Sequence, residues 1–232
     1  MDTINNMTRL AIIPARAGSV RFPNKNWALL DGKPLWRHTI DVARDCFDDI
    51  VFTSDSDTLI KSVAYLYDDI DTHIRPSCLA TSTSKVIDTV CWIHSMWANT
   101  DEIWLLLPTC PLRTKEDVLN AQKLLGDTNE DGVISITDYE FPPQLGLLSE
   151  DGLITDWHES KPWQNGNTRS QDHYPVYRPN GALYGMKREH FHKHQNFYEG
   201  RIEGYYMPRE RSVDIDTELD LKIAEQILHE NR

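Results

Sequence analysis

Apolar positions change period in a regular order along this chain. Residues 10–13 form a short β-branched run of the length of a buried strand. A turn at Asp31-Gly32-Lys33-Pro34 follows, with Pro34 suited to a first helical position, and Trp36, Ile40, Ala43 and Phe47 then recur at helical spacing. Residues 50–53 predict a second strand, and Asp57 predicts the cap of a helix through Ile60, Val63 and Ala64. The alternation continues with a strand at 72–74, a helix bearing Val86, Val90, Ile93 and Trp97, and an apolar strand at 103–107. Thr114, with Asp117 three residues on, predicts a capped helix whose apolar face is Val118, Ala121 and Leu125, before a strand at 132–137.

Strands alternating with helices predict an α/β fold, a Rossmann-like and mostly parallel sheet with helices on both faces. Ligands of such sheets sit at the carboxyl ends of the strands. The loops at 16–26, Asp55, 75–84 and 108–113 are therefore where chemistry is expected. The pattern breaks between about 139 and 178, where Pro, Gly and polar residues surround a hairpin-like piece at 147–154 and the aromatics Trp157, Trp163 and Tyr174. Sheet-like runs resume at 181–186 and 205–207, and Leu219, Ile223 and Ile227 mark a last helix. The expectation is one domain over 1–232 with an inserted arm.

Composition narrows the classes. The chain has 232 residues and a net charge of −12, which argues against a nucleic-acid or membrane-surface binder. At that length a core needs no disulfide or metal staple. Cys46, Cys78, Cys91 and Cys110 show no C-x-x-C spacing and read as reduced thiols. With no apolar leader near the start, the expected location is the cytoplasm.

Against this acidic background, the loop after the first strand collects Arg16, Ser19, Arg21, Lys25 and Asn26. It is either an anion site or a solvated basic loop. It has neither G-x-x-x-x-G-K-[ST] nor G-x-G-x-x-G, so a P-loop NTPase and a dinucleotide dehydrogenase are set aside. Near the other end, Asp214 and Asp216 stand two apart on an extended segment and share a face. Such a pair either holds a hard divalent cation or supplies a helix cap beside Thr217. His190, His192 and His194 have the spacing of zinc ligands, but Lys187, Arg188, Glu189 and Lys193 mark a solvated segment.

Taken in order, these motifs resemble the acylneuraminate cytidylyltransferases. Arg16, Ser19, Lys25 and Asn26 match the family's CTP-wrapping loop, whereas Val20 stands where a lysine is usual and Arg21 follows it. Thr53-Ser54-Asp55-Ser56, Arg75-Pro76, and Pro108-Thr109-Cys110-Pro111-Leu112-Arg113 fall in family order, with Leu107 in place of a sugar-contacting glutamine. Arg178-Pro179-Asn180-Gly181-Ala182-Leu183-Tyr184 matches a family strand, Arg169 the arginine for the sugar carboxylate, and Phe197-Tyr198 an aromatic pair reaching across a dimer. Asp214-Ile215-Asp216 matches the metal segment.

The resemblance implies a nucleotidyltransferase that moves CMP from CTP to the anomeric hydroxyl of a nonulosonic acid. Arg16, Ser19, Arg21, Lys25, Asn26 and Arg75 would bind the nucleotide. Leu107, Arg169, Asn180, Tyr184, Phe197 and Tyr198 would bind the sugar, and Asp214 and Asp216 would hold Mg²⁺ or Mn²⁺. Arg16, Lys25, Asp214 and Asp216 would be catalytic, and a homodimer is implied. The alternatives are a 3-deoxy-manno-octulosonate cytidylyltransferase and a catalytically impaired nucleotide-binding homologue.

Overall fold

The computed structural model describes residues 7–230 apart from Val20, Ser82 and Ala98. Leu10 and Ile12 point to one face of strand β1 (Arg9–Pro14) and Ala11 and Ile13 to the other, and all four are fully buried. A strand apolar on both faces belongs at the centre of a covered sheet, and β1 is there. In chain order follow the short strands β2 (Leu29–Leu30) and β3 (Lys33–Pro34), helix α1 (Leu35–Arg44), β4 (Asp49–Ser54), α2 (Asp57–Leu66), β5 (Asp71–Ile74) and α3 (Val86–His94). Then come β6 (Glu102–Leu105), α4 (Lys115–Asp127), β7 (Gly132–Asp138), the hairpin strands β8 (Leu147–Glu150) and β9 (Leu153–Asp156), and α5 (Pro162–Asn165). β10 (Tyr177–Lys187), α6 (Arg188–His194), β11 (Ile202–Tyr206) and α7 (Glu218–Glu230) complete the described chain.

The main sheet has the order β11-β7-β10-β6-β1-β4-β5. Neighbours pair in parallel except at β10, which runs antiparallel to both β6 and β7. One face packs Ala11, Ile13, Phe52 and Trp104 against Trp36, Leu59, Val63, Val118 and Leu125. The opposite face packs Leu10, Ile12, Val51 and Ile103 against Val90, Ile93 and Phe191. The expected mostly parallel sheet with helices on both faces is what the chain forms. Among the described residues no helix is long and apolar enough to cross a membrane.

Several boundaries differ from the periodicity. Pro34 is the N-cap of α1 rather than its first helical residue, and α1 ends at Arg44, before Phe47. The α2 cap is Ser56, whose hydroxyl accepts from Leu59 N at 3.3 Å, so Asp57 is already helical. α3 stops at His94 and β6 at Leu105, short of Trp97 and Leu107. β10 begins at Tyr177, before Gly181, with a register shift between Pro179 and Tyr184. At Gly181 φ is +80°, and an added Cβ would meet Cys110 Sγ at 3.0 Å, so glycine fits this irregularity. The α4 capping box forms as expected: Thr114 Oγ1 accepts from Asp117 N at 3.2 Å, and Asp117 Oδ2 accepts from Thr114 N at 2.9 Å.

Residues 139–176 lie outside the main sheet as the β8–β9 hairpin, α5 and irregular turns, so the arm ends before 178, where Tyr177 and Arg178 already pair with β7. Leu147, Leu148, Leu153, Ile154, Trp157 and Tyr174 are exposed on the arm.

Candidate active site

After β1 the backbone turns over Pro14 and Ala15, and two polar anchors hold the turn. Asp55 Oδ1 accepts from Ala17 N at 2.7 Å, and the buried Asn26 amide donates to Arg16 O at 2.8 Å. Asp55, at the end of the neighbouring parallel strand, thus ties down the loop rather than capping α2. Arg16 bends back through Nε to Gly18 O at 2.7 Å and through Nη1 to Thr81 O at 2.9 Å. Asn24, with φ of 56°, turns the chain so that Lys25 to Trp27 form a single 3₁₀ turn. Val20 lies outside the described residues.

The carboxylate pair reaches this loop from the far end of the chain. Ile215 is fully buried with Leu30, Leu35, Leu112 and Ala224, and its N–H donates to Thr109 O at 2.8 Å. With Ile215 driven into that cluster, the residues on either side turn to the opposite face. Lys25 Nζ stands 2.8 Å from Asp216 Oδ1 and Arg21 Nη2 2.7 Å from Asp216 Oδ2. Neither aspartate caps α7. That cap is Thr217, whose N–H donates to Asp220 Oδ2 at 2.7 Å and whose hydroxyl receives Asp220 N at 3.4 Å.

Asp214 lines a cavity with Glu140, Arg178 and Arg209, yet has protein packed around it. That desolvation is the main cause raising its carboxyl pKa; Thr109 and Lys25 oppose the rise and Asp216 adds to it. A carboxylate with raised proton affinity beside a second one suits a hard cation that completes its shell with water or phosphate oxygens. Among the described residues no group of three or more His, Cys, Asp or Glu gathers for a metal, so at this site the pair Asp214 and Asp216 would be the protein's whole acidic contribution. The histidine triplet instead packs on itself and its neighbours, His190 stacking on His194 at 4.4 Å and His192 Nδ1 lying 3.3 Å from His94 Nε2.

Three cavities run together at the carboxyl edge of the sheet. One of about 190 Å³ is lined by the 14–26 loop, including Arg16, Ser19, Lys25 and Asn26, and by Leu107 and Thr109. A second, of about 320 Å³, shares Pro14 and Arg16 with it and adds Arg75 and Lys85. Arg75 is buried, which lowers its pKa, and it donates to Thr53 O at 3.3 Å with Asp55 nearby. The third, of about 490 Å³, shares Leu107 with the first and is walled by Leu105, Ile87, Tyr184, Phe197 and Tyr198.

The structure thus brings together Arg16, Ser19, Lys25, Asn26, Arg75 and Leu107, then Tyr184, Phe197 and Tyr198, with Arg21, Asp214 and Asp216 alongside. Two expected sugar residues are not among them. Asn180 is 1 % exposed and both ends of its amide are used inside the core. Its Oδ1 accepts from Ser135 Oγ at 2.6 Å and Ala182 N at 3.1 Å, and its Nδ2 donates to Ser212 Oγ at 2.8 Å. The identity of Asn180 therefore pins the β10 irregularity to β7 and to the segment leading to Asp214. Arg169 lies on the arm, 71 % exposed, 3.7 Å from Asp172.

Other groups at the site had no site role assigned from the sequence, although Thr109, Cys110 and Arg178 stand in its motifs. Thr109 joins the loop after β6 to the carboxylate segment. Cys110, buried to a pKa of about 12, donates to Asn180 O at 2.9 Å beneath it. Arg178 and Arg209 both approach Glu140, at 3.2 and 3.5 Å, in a cavity of about 450 Å³ that also touches Asp214. Their separation in sequence leaves no local pattern to read.

A ligand cleft at the carboxyl edge of a mostly parallel sheet, with a cation-rich loop opposite a carboxylate pair, is the arrangement of a nucleotidyltransferase-like α/β protein. The chain belongs to the cytidylyltransferase family, whose model matches residues 10–231. It is 33 % identical over 219 residues to the N-acylneuraminate cytidylyltransferase of Streptococcus agalactiae serotype V, covering 92 % of this chain and 52 % of the relative. The chain therefore spans about half the length of that relative. It is 32 % identical over 237 residues to the CMP-N,N'-diacetyllegionaminic acid synthase of Legionella pneumophila, covering 97 % of this chain and 98 % of the relative. In fold it resembles CMP:2-keto-3-deoxy-manno-octonic acid synthetase complexed with CTP, with a TM-score of 0.70 at 13 % identity, covering 97 % of this chain and 100 % of that one.

Proposed function

We propose that this protein transfers CMP from CTP to the anomeric hydroxyl of a nonulosonic acid and releases pyrophosphate. The observation that carries the reading is the meeting of Lys25 and Arg21 with Asp216, Lys25 itself lining the cavity of Arg16, Ser19 and Asn26. A site for an anion and a site for a cation that share one wall suit a metal–triphosphate. The anomeric hydroxyl gives up its proton to solvent as its oxygen attacks the α-phosphorus in line, the bond from that phosphorus to the bridging oxygen breaks, and the pair of electrons leaves with pyrophosphate. Arg16, Lys25 and Arg21 neutralise the leaving group, Ser19 and Asn26 shape its cradle, and Arg75 serves the nucleotide. Positioning and charge neutralisation carry most of the rate.

Asp214 and Asp216 would hold Mg²⁺ or Mn²⁺. A bound divalent cation supplies charge on the phosphate oxygens and lowers the pKa of a coordinated hydroxyl. The sugar acid would lie in the cavity of Leu107, Tyr184, Phe197 and Tyr198. Arg169 reaches such a sugar only if the arm, or a second copy's arm, folds over the cleft. The exposed Leu147, Leu148, Leu153 and Ile154 favour a homodimer through that arm.

Pyrophosphate release from CTP, measured in Mg²⁺ with nonulosonic acids and with 3-deoxy-manno-octulosonate, tests the reaction. Release with a nonulosonic acid above that with the octulosonate is the expected result. Release with neither overturns it.

A further inference from the structure

The cavity of about 490 Å³ that meets the phosphate-side cavity at Leu107 has an unusual wall for a polyhydroxylated ligand. It is built from Val86 and Ile87 at the start of α3, Leu105 at the end of β6, Leu107 two residues past it, and Tyr184, Phe197 and Tyr198; His194, Gln195 and Asn196 complete it. No Asp, Glu, Lys or Arg is among these lining residues.

Several of the polar groups at this wall already have partners. The Tyr184 hydroxyl is largely buried beside Tyr198, and that burial first, then the neighbour, raises its pKa. Asn196 Oδ1 accepts from Tyr198 N at 3.0 Å. The rings of Phe197 and Tyr198 stand 5.9 and 6.2 Å from Tyr184, centroid to centroid, and form an aromatic cup opposite the alkyl groups.

Size does not discriminate in a space this large; polarity does. A hydroxyl that leaves water for an alkyl wall loses hydrogen bonds that the wall does not return. A methyl group gains by the same move. Resting on the function proposed above, we infer that this cavity takes a nine-carbon sugar acid ending in a methyl and carrying acylamido groups, in preference to one ending in a polyhydroxyl chain. The acyl methyls pack on Phe197 and the alkyl wall, while the amide polar atoms face the rim at Gln195 and Tyr198. Leu107 is the specificity-determining residue, because a ligand joining the two cavities passes it.

The test compares N,N'-diacetyllegionaminic acid, which has the methyl end and two acylamido groups, with N-acetylneuraminic acid, which has a glycerol-like end. Each is assayed with the wild-type protein by Mg²⁺- and CTP-dependent pyrophosphate release. The expected kcat/KM ratio favours the legionaminic acid by about 10-fold or more. Leu107→Gln should cut that ratio at least about 5-fold, mainly by raising KM for the methyl-ended acid. Leu107→Met, which keeps an alkyl wall, should retain it, and it separates selectivity from damage to the fold. A ratio near one or favouring the neuraminic acid overturns this inference and leaves the proposed reaction standing. A Leu107→Gln ratio equal to that of Leu107→Met overturns the role of Leu107. Release with neither acid, and with no other nonulosonic acid such as pseudaminic acid, overturns the proposed reaction, and this inference with it.

Discussion

Lys25 and Asp216, separated by 191 positions in sequence, meet at 2.8 Å where the first loop of the sheet faces the segment before the last helix. Lys25 is 13 % exposed and Arg21, on the other oxygen of the same carboxylate, is 70 % exposed. The two cations therefore stand in different dielectric surroundings, and their charges act with different strength.

That difference orders two substitutions. Lys25→Ala should raise KM for CTP by about 10-fold or more, whereas Arg21→Ala should raise it only a few-fold. The Arg21 effect should shrink further at high salt. Unchanged steady-state constants for Arg21→Ala would remove it as a substitute for the lysine expected at position 20.

Asp214→Asn keeps the shape of a side chain that the protein crowds, and it removes a charge whose burial is costly. Thermal stability should stay within about 1 kcal/mol of wild type. If Asp214 holds the metal, turnover should fall by about 100-fold or more, with a higher Mg²⁺ requirement. Near-normal pyrophosphate release would refute the metal role.

Asp55→Ala removes the 2.7 Å tether on Ala17 N without touching the cavity lining given above. The 14–26 loop should loosen, raising KM for CTP several-fold while the melting temperature changes little. Faster amide exchange at Ala17 is the accompanying readout, and protection equal to wild type would contradict the tether.

Asp117 anchors α4 to the segment ahead of Ile215. Burial by itself would raise its carboxyl pKa, but the two Arg211 nitrogens at 2.9 Å and the Thr114 bonds outweigh this and hold it below the usual range. A carboxylate depressed in this way stabilises the fold fully above its unfolded pKa of about 3.9, and that stability fades as pH falls through the folded value. Asp117→Asn should therefore cost about 1–3 kcal/mol near neutral pH, a range kept low because Arg211 is partly exposed. The gap between denaturation series on the two proteins should begin to close below about pH 4 and vanish only once pH has fallen through the depressed folded value. A gap independent of pH would rule out the ion pair as its source.

Gly185→Ala tests the join of β10 to β6. The added Cβ would lie 2.6 Å from the buried Trp104 ring, with no open space on that side. A loss of about 2–3 kcal/mol is expected, read as a lower denaturation midpoint.

Much of the sheet was legible because its information is local. Residues 10–13 announce a strand through an unbroken apolar run, 50–53 and 132–137 through dense β-branched and aromatic residues, and Thr114-x-x-Asp117 announces a helix start through its own hydrogen bonds. Errors fell where the apolar pattern continues past the backbone hydrogen bonds. Phe47 and Trp97 pack on the core from beyond their helices, and Leu107 does so from beyond its strand. Asp57 looked like a cap because Ser56 offers the same chemistry one residue earlier. At the site, residue identities were legible but their directions were not. Asn180 was read as a ligand group from its place in a motif, yet the turn at Gly181 carries its amide inward to Ser135 and Ser212.

By itself the sequence determined the alternation of strands and helices, and hence the sheet edge at which a ligand site would open. It also supplied a cation-rich loop and an aspartate pair, since both are spaced by a few residues. Only the tertiary structure decided that these two meet, because burial of Ile215 turns Asp214 and Asp216 toward a loop almost 200 positions away. It likewise decided that Arg169 stands apart on the arm and that Leu107 joins a polar cavity to an apolar one. These are long-range packing outcomes, set by which apolar faces bury each other, and no local spacing in the chain encodes them.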